Sequence, residues 1–304
     1  MFKIGKNFHI IHMCEDLYAL DKWYDDVFSV DRFMDHQFSD GLKRYGSLVV
    51  IGDLCIEPMQ PAFDVEGWER APVGRFWQRL GKRWHSIAWY MDNGEEGMGD
   101  LLHSLVEEKV RNFDIDGKPW QGETPPRVLF THPRDTYTQL EFMPGPMPND
   151  SRFHEGFDVS RWARHPLGLV NSSHVTLTVD DVQAARDRYV GSMGGILLHE
   201  TEMSLQATRS AFVAVGTDLV LELAQPLDKN TGLGADHAAL GSSLYSVALK
   251  VRDLSVAEEY LTGKGFRFAA RDDHSLVSDP DSSMGVVYTF TDWDIPGDTR
   301  PAWG

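Results

Sequence analysis

The sequence has few cysteines, few positive charges and no long hydrophobic run. Two cysteines in 304 residues, Cys14 and Cys55, exclude a disulfide framework and are typical of a reducing compartment. With 29 Lys and Arg against 46 Asp and Glu, the net charge of −17 argues against nucleic acid or an anionic membrane as the main partner. The N-terminal stretch lacks the apolar length of a signal peptide or membrane span, so we expect a cytoplasmic protein.

What the sequence does contain is an internal repeat. Strand-like segments that begin with a histidine, at His9 and His174, are each followed by an acidic pair and an amphipathic helix. Similar segments begin at His85 and near Ser246. The first and third copies both end in Glu-x-x-Gln-Pro, and their opening His and closing Glu lie 48 residues apart, from His9 to Glu57 and from His174 to Glu222.

The repeat predicts four units, each with a strand, a helix and several further strands, and therefore an α+β fold. The chain length suggests two domains of about 150 residues. We place these domains at 1–150 and 151–304, with the Pro/Gly/Asn-rich segment 144–172 as the linker. Pairing of consecutive units is the favoured arrangement. Pairing of the first with the fourth and the second with the third is the alternative.

Four tandem βαβββ units, with His opening the first strand and Glu closing the last, resemble the vicinal-oxygen-chelate superfamily of glyoxalases, bleomycin resistance proteins and extradiol dioxygenases. Segment 127–142 also resembles the closing segment of methylmalonyl-CoA epimerases, in which a similar His-Pro-Lys/Arg stretch precedes the ligand glutamate. The resemblance implies two glyoxalase-like domains in which facing units curl mixed sheets around a metal cleft.

Three glutamates in apolar strands indicate a metal site. Glu57, Glu141 and Glu222 each lie beside apolar residues, and burial of an unpaired carboxylate costs several kcal/mol. Facing units one and two would bring together His9, Glu57, His85 and Glu141. Two imidazoles and two carboxylates suit Zn²⁺, Fe²⁺, Co²⁺, Ni²⁺ or Mn²⁺.

The second domain breaks this pattern. We align Ser246 with the second His and Thr289 with the last Glu, so the second domain is expected to be metal-free or a weak site. Under the alternative pairing of units, His174 and Glu222 would instead join His85 and Glu141 as metal ligands.

Strand alternation also suggests residues that line the cleft. Tyr137 and Gln139 share the predicted face of Glu141, and Trp89 shares that of His85. His132, in a probable turn before the last strand, is a further candidate. Segment 62–84 has no match in the third copy, and its basic and Trp residues suggest a clamp for an anionic or aromatic group, or else a solvated helix at the sheet edge.

A metal with two open positions binds vicinal substrate oxygens, and a carboxylate can then remove a proton next to a carbonyl. The resemblance makes Glu141 the first candidate for this base and Glu57 the second, in an isomerase, epimerase or lyase. An Fe²⁺ extradiol dioxygenase using His9, His85 and Glu141 is the alternative. A non-catalytic binding protein is the third hypothesis. The expected partner is a small molecule, and homo-oligomerisation is left open.

Overall fold

Each half of the chain forms one eight-stranded mixed sheet, in a computed structural model that describes residues 1–115, 117–120 and 126–303. The first sheet has the strand order β2-β3-β4-β1-β5-β8-β7-β6. Its strands are β1 Ile4–Met13, β2 Asp31–Ser39, β3 Arg44–Ile51, β4 Leu54–Pro61, β5 Trp84–Met91, β6 Asn112–Phe113, β7 Leu129–Thr131 and β8 Gln139–Met143.

The second sheet repeats this topology in the order β10-β11-β12-β9-β13-β16-β15-β14. Its strands are β9 Leu169–Thr178, β10 Ile196–Met203, β11 Thr208–Val215, β12 Leu219–Pro226, β13 Ser243–Val251, β14 Phe268–Arg271, β15 Ser275–Ser278 and β16 Val287–Thr291. The prediction of four βαβββ units, two in each half, is confirmed.

The helices are α1 Leu17–Phe28, α2 Pro72–Leu80, α3 Gly94–Glu107 and α4 Pro133–Thr136 in the first half, and α5 Ser160–Ala163, α6 Val182–Met193, α7 Gly232–Leu240 and α8 Leu254–Gly263 in the second. Helix α2 connects the two units of the first half as α7 connects those of the second. The prediction that segment 62–84 lacks a counterpart was therefore wrong, because the two linking helices share a position but not a sequence pattern. None of the helices in the described ranges is long and apolar enough to cross a membrane.

Consecutive units pair through their opening strands. Strand β1 lies antiparallel to β5, and β9 lies antiparallel to β13, so each sheet is formed by neighbouring units. The alternative pairing of first with fourth and second with third was wrong. His85 and Glu141 consequently belong to the sheet of His9, and not to that of His174.

The glutamine of each Glu-x-x-Gln-Pro motif fixes a helix to its sheet, α1 in the first half and α6 in the second. Asp16 and Asp181 accept hydrogen bonds from the first-turn amides and cap α1 and α6. The side-chain oxygen of Gln60 accepts from the Leu17 amide at 2.7 Å, and that of Gln225 accepts from the Val182 amide at 3.3 Å. The repeated glutamine is therefore a helix anchor.

An Asp-x-Arg motif closes both halves after their last strand. Arg152 pairs with Asp150 and donates to the carbonyl oxygens of residues 7, 8 and 53. Arg300 pairs with Asp298 and donates to those of residues 172, 173 and 218, which are the matching positions. Our sequence comparison missed this repeat. The boundary proposed between residues 150 and 151 falls between the partners of the first ion pair.

The two halves share one apolar core, to which both sheets contribute. The indole of Trp84 donates to the Val287 carbonyl at 3.0 Å, and the hydroxyls of Tyr24 and Tyr288 lie 2.9 Å apart. Buried His12 contacts the Tyr24 hydroxyl through Nδ1 at 2.8 Å. Strand alternation points His12 away from His9 and into the contact between the halves.

Candidate metal centre

Three of the four predicted ligands meet on one face of the first sheet. Glu57 is registered with Ile11 on the neighbouring parallel strand, and His9 lies two residues before Ile11 on the same face. Glu141 comes from β8, on the other side of β5. The Nε2 atom of His9 lies 3.3 Å from Oε2 of Glu57 and 3.5 Å from Oε2 of Glu141.

His85 lies at a β-bulge of β5, the strand next to β1. Between the register pairs Ile10–Ile87 and His12–Trp84, two steps along β1 face three along β5, so alternation is interrupted at residues 85 and 86. Burial lowers the pKa of His85 to about 4, with further lowering by the charges of His9 and Arg79. His85 is thus a neutral imidazole at pH 7, as a metal ligand must be.

The buried imidazole of His9 is unsatisfied. The residue is 3% exposed, and neither ring nitrogen has a hydrogen-bond partner among the described residues. Buried polar atoms are nearly always paired, so a nitrogen left between two carboxylates indicates a missing partner. A divalent cation fits this place by its chemistry, because imidazole and carboxylate are both ligands for such metals.

The donor atoms of His9, Glu57 and Glu141 lie close together, but they are not all within 4.8 Å of one another. Within the described ranges, the one group of three or more His, Cys, Asp and Glu donors lying mutually within 4.8 Å is Asp21, Asp35 and His36. That group is an ion-pair network, since Asp21 also accepts from Ser47 at 2.7 Å and lies 3.8 Å from Arg32. At the predicted centre, the guanidinium of Arg44 lies 2.8 Å from Oε1 of Glu57.

The predicted cleft residues have mixed positions. Gln139 is half-buried and lies two residues from Glu141 on the same strand face. Trp89 is fully buried and stacks on Phe142 at 5.9 Å, because the bulge puts it on the core face, so its prediction as a substrate-lining residue was wrong. His132 accepts from the Arg134 amide and caps α4.

Tyr137 ends α4 in a left-handed conformation, with φ 65°. It lies outside the strand, so alternation does not apply to it. Burial raises the pKa of its phenol, and the nearby charges are those of Arg188, Asp181 and Asp180 at α6. Tyr137 packs, half-buried, against the apolar core, and its place in the cleft stays a prediction.

The equivalent place in the second half holds a hydrogen-bonded pair. His174 Nε2 lies 3.4 Å from Oε2 of Glu222, while the hydroxyls of Thr176 and Ser210 donate to the two carboxylate oxygens at 2.7 Å each. Burial acts to raise the pKa of Glu222, but the hydrogen bond and charge of His174 and the two hydroxyls hold it below its ordinary value. His174, Thr176 and Glu222 line a cavity of about 50 Å³.

The register of the second sheet identifies the residues that replace the other two ligands. Leu244 pairs with Leu177 as Trp84 pairs with His12, and a bulge follows in both strands. Tyr245 is therefore the counterpart of His85, and our alignment of Ser246 with that position was shifted by one residue. Thr289 pairs with Ala248 as Glu141 pairs with Ala88, which confirms its place.

Comparison with known proteins agrees with this architecture. Residues 173–279 match the family model of the glyoxalase/bleomycin resistance protein/dioxygenase superfamily. The matched residues lie in the second half of the chain. No curated protein matches the chain.

A solved structure has the same fold over both halves of the chain. A mutant of 4-hydroxymandelate synthase from Streptomyces coelicolor is 11% identical, with a TM-score of 0.65 over 98% of this chain and 95% of that one, which shows a shared fold. Methylmalonyl-CoA epimerase from Mycobacterium tuberculosis is 24% identical and covers 42% of this chain and 93% of its own, with a TM-score of 0.37.

Proposed function

We propose that the chain is a divalent-metal-dependent enzyme of the vicinal-oxygen-chelate type, with its metal in the first half. The ligands are His9, Glu57, His85 and Glu141. The observation that carries this proposal is the difference between the two histidine–glutamate pairs. His174 and Glu222 are satisfied by hydroxyls, whereas His9 lies between two carboxylates with no hydrogen bond to either ring nitrogen.

Strand position explains why the first pair lacks such partners. Ile11 stands where Thr176 stands in the second half, and Gly46 stands where Ser210 stands, since each pair occupies the same register position. Neither residue of the first half has a hydroxyl. In the described ranges Arg44 pairs with Oε1 of Glu57, while Oε2 faces His9, and a bound cation would stabilise this second oxygen.

The carboxylates have different surroundings, and this supports different roles. Glu57 is 2% exposed and paired with Arg44. Glu141 is the more open, with a side chain 13% exposed, and within the described ranges its ion-pair contact is to His9 alone. When bound, a divalent metal would polarise a substrate carbonyl and acidify the adjacent C–H bond. Glu141 is placed to accept that proton.

A second candidate function follows from the Arg44–Glu57 ion pair. If Arg44 keeps Glu57 away from the metal, the remaining donors are His9, His85 and Glu141. Two histidines and one carboxylate are the ligand set of non-haem Fe²⁺ oxygenases. Ring cleavage of an aromatic diol is then the alternative reaction.

Proton exchange tests the first function directly. Metal-loaded protein would be incubated with 2-oxo acids such as pyruvate and 2-oxobutyrate in D₂O, and loss of the C3 proton signal followed by NMR. We expect exchange that Glu141→Gln, compared at equal metal loading, slows by about 100-fold or more, the usual contribution of a general base. Glu222→Gln, the matched change in the second half, should leave the rate unchanged.

Two results would reject this function. Exchange at the wild-type rate in Glu141→Gln would show that this carboxylate is not the base. Absence of exchange together with O₂ consumption by the Fe²⁺-loaded protein on catechol would favour the dioxygenase. A metal-free protein without either activity would leave the non-catalytic binding hypothesis.

A further inference from the structure

Arg44 and Gly46 give the first cleft, around His9 and Glu57, a cationic group. Among the described residues, no Lys or Arg lines the second cleft, the cavity at His174 and Glu222. The Arg44 guanidinium lies beside Glu57, with its side chain 15% exposed. A Cβ atom at Gly46 would lie 2.5 Å from Nη1 of Arg44 and 3.0 Å from Oε1 of Glu57. A side chain at residue 46 would require the guanidinium, the flexible end of Arg44, to shift, so glycine leaves room for Arg44 in this position.

The second half shows what fills this space otherwise. Gly46 is paired with Met59 as Ser210 is paired with Ala224, and Arg44 is paired with Pro61 as Thr208 is paired with Pro226. There the Ser210 hydroxyl donates to Glu222 at 2.7 Å and contacts the Thr208 hydroxyl at 2.9 Å. A short hydroxyl pair thus satisfies the second glutamate. The first glutamate has a guanidinium, which carries more donors than one carboxylate oxygen needs.

The guanidinium of Arg44 has donors to spare. Arginine offers five N–H groups in a planar fork that matches a carboxylate. In the described ranges the one ion pair of Arg44 is with Glu57, and its buried Nε has no hydrogen-bond partner. An anionic ligand would use these donors.

We propose that Arg44 binds a carboxylate of the substrate beside Glu57, so that the substrate class is small organic acids with a second oxygen next to the carboxylate. This inference rests on the proposed function, because it uses the same cleft. It makes Arg44 a residue that selects for charge and Gly46 the residue that permits it. A neutral compound of the same shape would leave the guanidinium donors unpaired and bind more weakly.

Calorimetric titration with oxalate, and with oxamide as its neutral analogue, tests this inference. The proteins are the wild type, Arg44→Gln, the double variant Arg44→Thr/Gly46→Ser, which has the residues of the second half, and Arg209→Gln, an exposed arginine of β11 paired with Glu202. The metal content of each sample is measured in parallel. We expect the wild type to prefer oxalate and both Arg44 variants to lose about 10- to 100-fold in oxalate affinity, with little change for oxamide.

The outcomes separate this inference from the proposed function. Oxalate binding by Arg44→Gln at wild-type affinity, or a wild type that binds oxalate no better than oxamide, would overturn the role of Arg44. An equal loss in Arg209→Gln would overturn it too, because the effect would then be one of net charge. If the wild type holds no metal but its oxalate binding still depends on Arg44, the anion site stands and the metal proposal fails.

Discussion

Glu57 and Glu222 occupy the same position in the two halves, yet only Glu222 has both carboxylate oxygens hydrogen-bonded by hydroxyls. The strands, register and partner histidines are the same on both sides. What differs is the residue at two neighbouring positions. Ile11 and Gly46 in the first half stand where Thr176 and Ser210 stand in the second. The chain thus contains its own control, a cleft that completes its hydrogen bonds beside one that does not.

The Arg152–Asp150 ion pair should be a main stabilising contact of the first half. Its two side chains are 1% and 0% exposed, so Arg152→Met would leave a buried, uncompensated carboxylate. We expect a loss of about 3–5 kcal/mol in the free energy of unfolding, measured by urea denaturation.

Arg300→Met is the matched control, because the side chains of its ion pair are 13% and 14% exposed and water can reach them. We expect a smaller loss from this change. Equal losses in the two variants would show that burial of the pair is not what sets its contribution.

Loss of the Gln60 and Gln225 side chains should destabilise α1 and α6 to different extents. Gln60→Ala breaks a 2.7 Å hydrogen bond to the α1 amide of Leu17, for an expected loss of about 1 kcal/mol. Gln225→Ala breaks the longer 3.3 Å bond and should cost less. Urea denaturation of both variants checks the order, and a larger loss in Gln225→Ala would contradict it.

Acidification should destabilise the protein through His12. Burial lowers the pKa of His12 to about 3 in the folded protein, against about 6.5 in an unfolded chain. The unfolded chain therefore binds a proton that the folded one does not, and stability falls as the pH drops below 6.5, by up to about 1.4 kcal/mol per pH unit. The free energy of unfolding of His12→Gln should fall less between pH 7 and pH 5 than that of the wild type. Parallel losses in the two proteins would rule out this role.

The fold could be predicted from the sequence because it is repeated. The spacing of 48 residues from His to Glu, and the Glu-x-x-Gln-Pro motif, fix the register of β1 with β4 and of β9 with β12. Alternation then places His9 and Glu57 on one face. These relations depend only on regular strands, which sequence periodicity describes well.

The errors in the predicted site come from irregular backbone. A bulge beside His85 reverses the alternation of β5, so Trp89 was assigned to the wrong face. The matching bulge in β13 shifted our alignment of Ser246 with His85 by one residue. The position of Arg44 beside Glu57 could not be predicted from strand alternation, because it also depends on the space that Gly46 leaves. Comparison of residues 44–46 with their counterparts 208–210 was the available signal.

The metal content of matched histidine variants tests the central claim most directly. Purified wild type, His9→Ala and His174→Ala would be analysed for Zn, Fe, Co, Ni and Mn after dialysis, with circular dichroism to confirm folding. We predict about one equivalent of metal in the wild type and in His174→Ala. Folded His9→Ala should lose its metal on dialysis, because its affinity falls at least tenfold. Metal retained by His9→Ala but lost from His174→Ala would contradict the account.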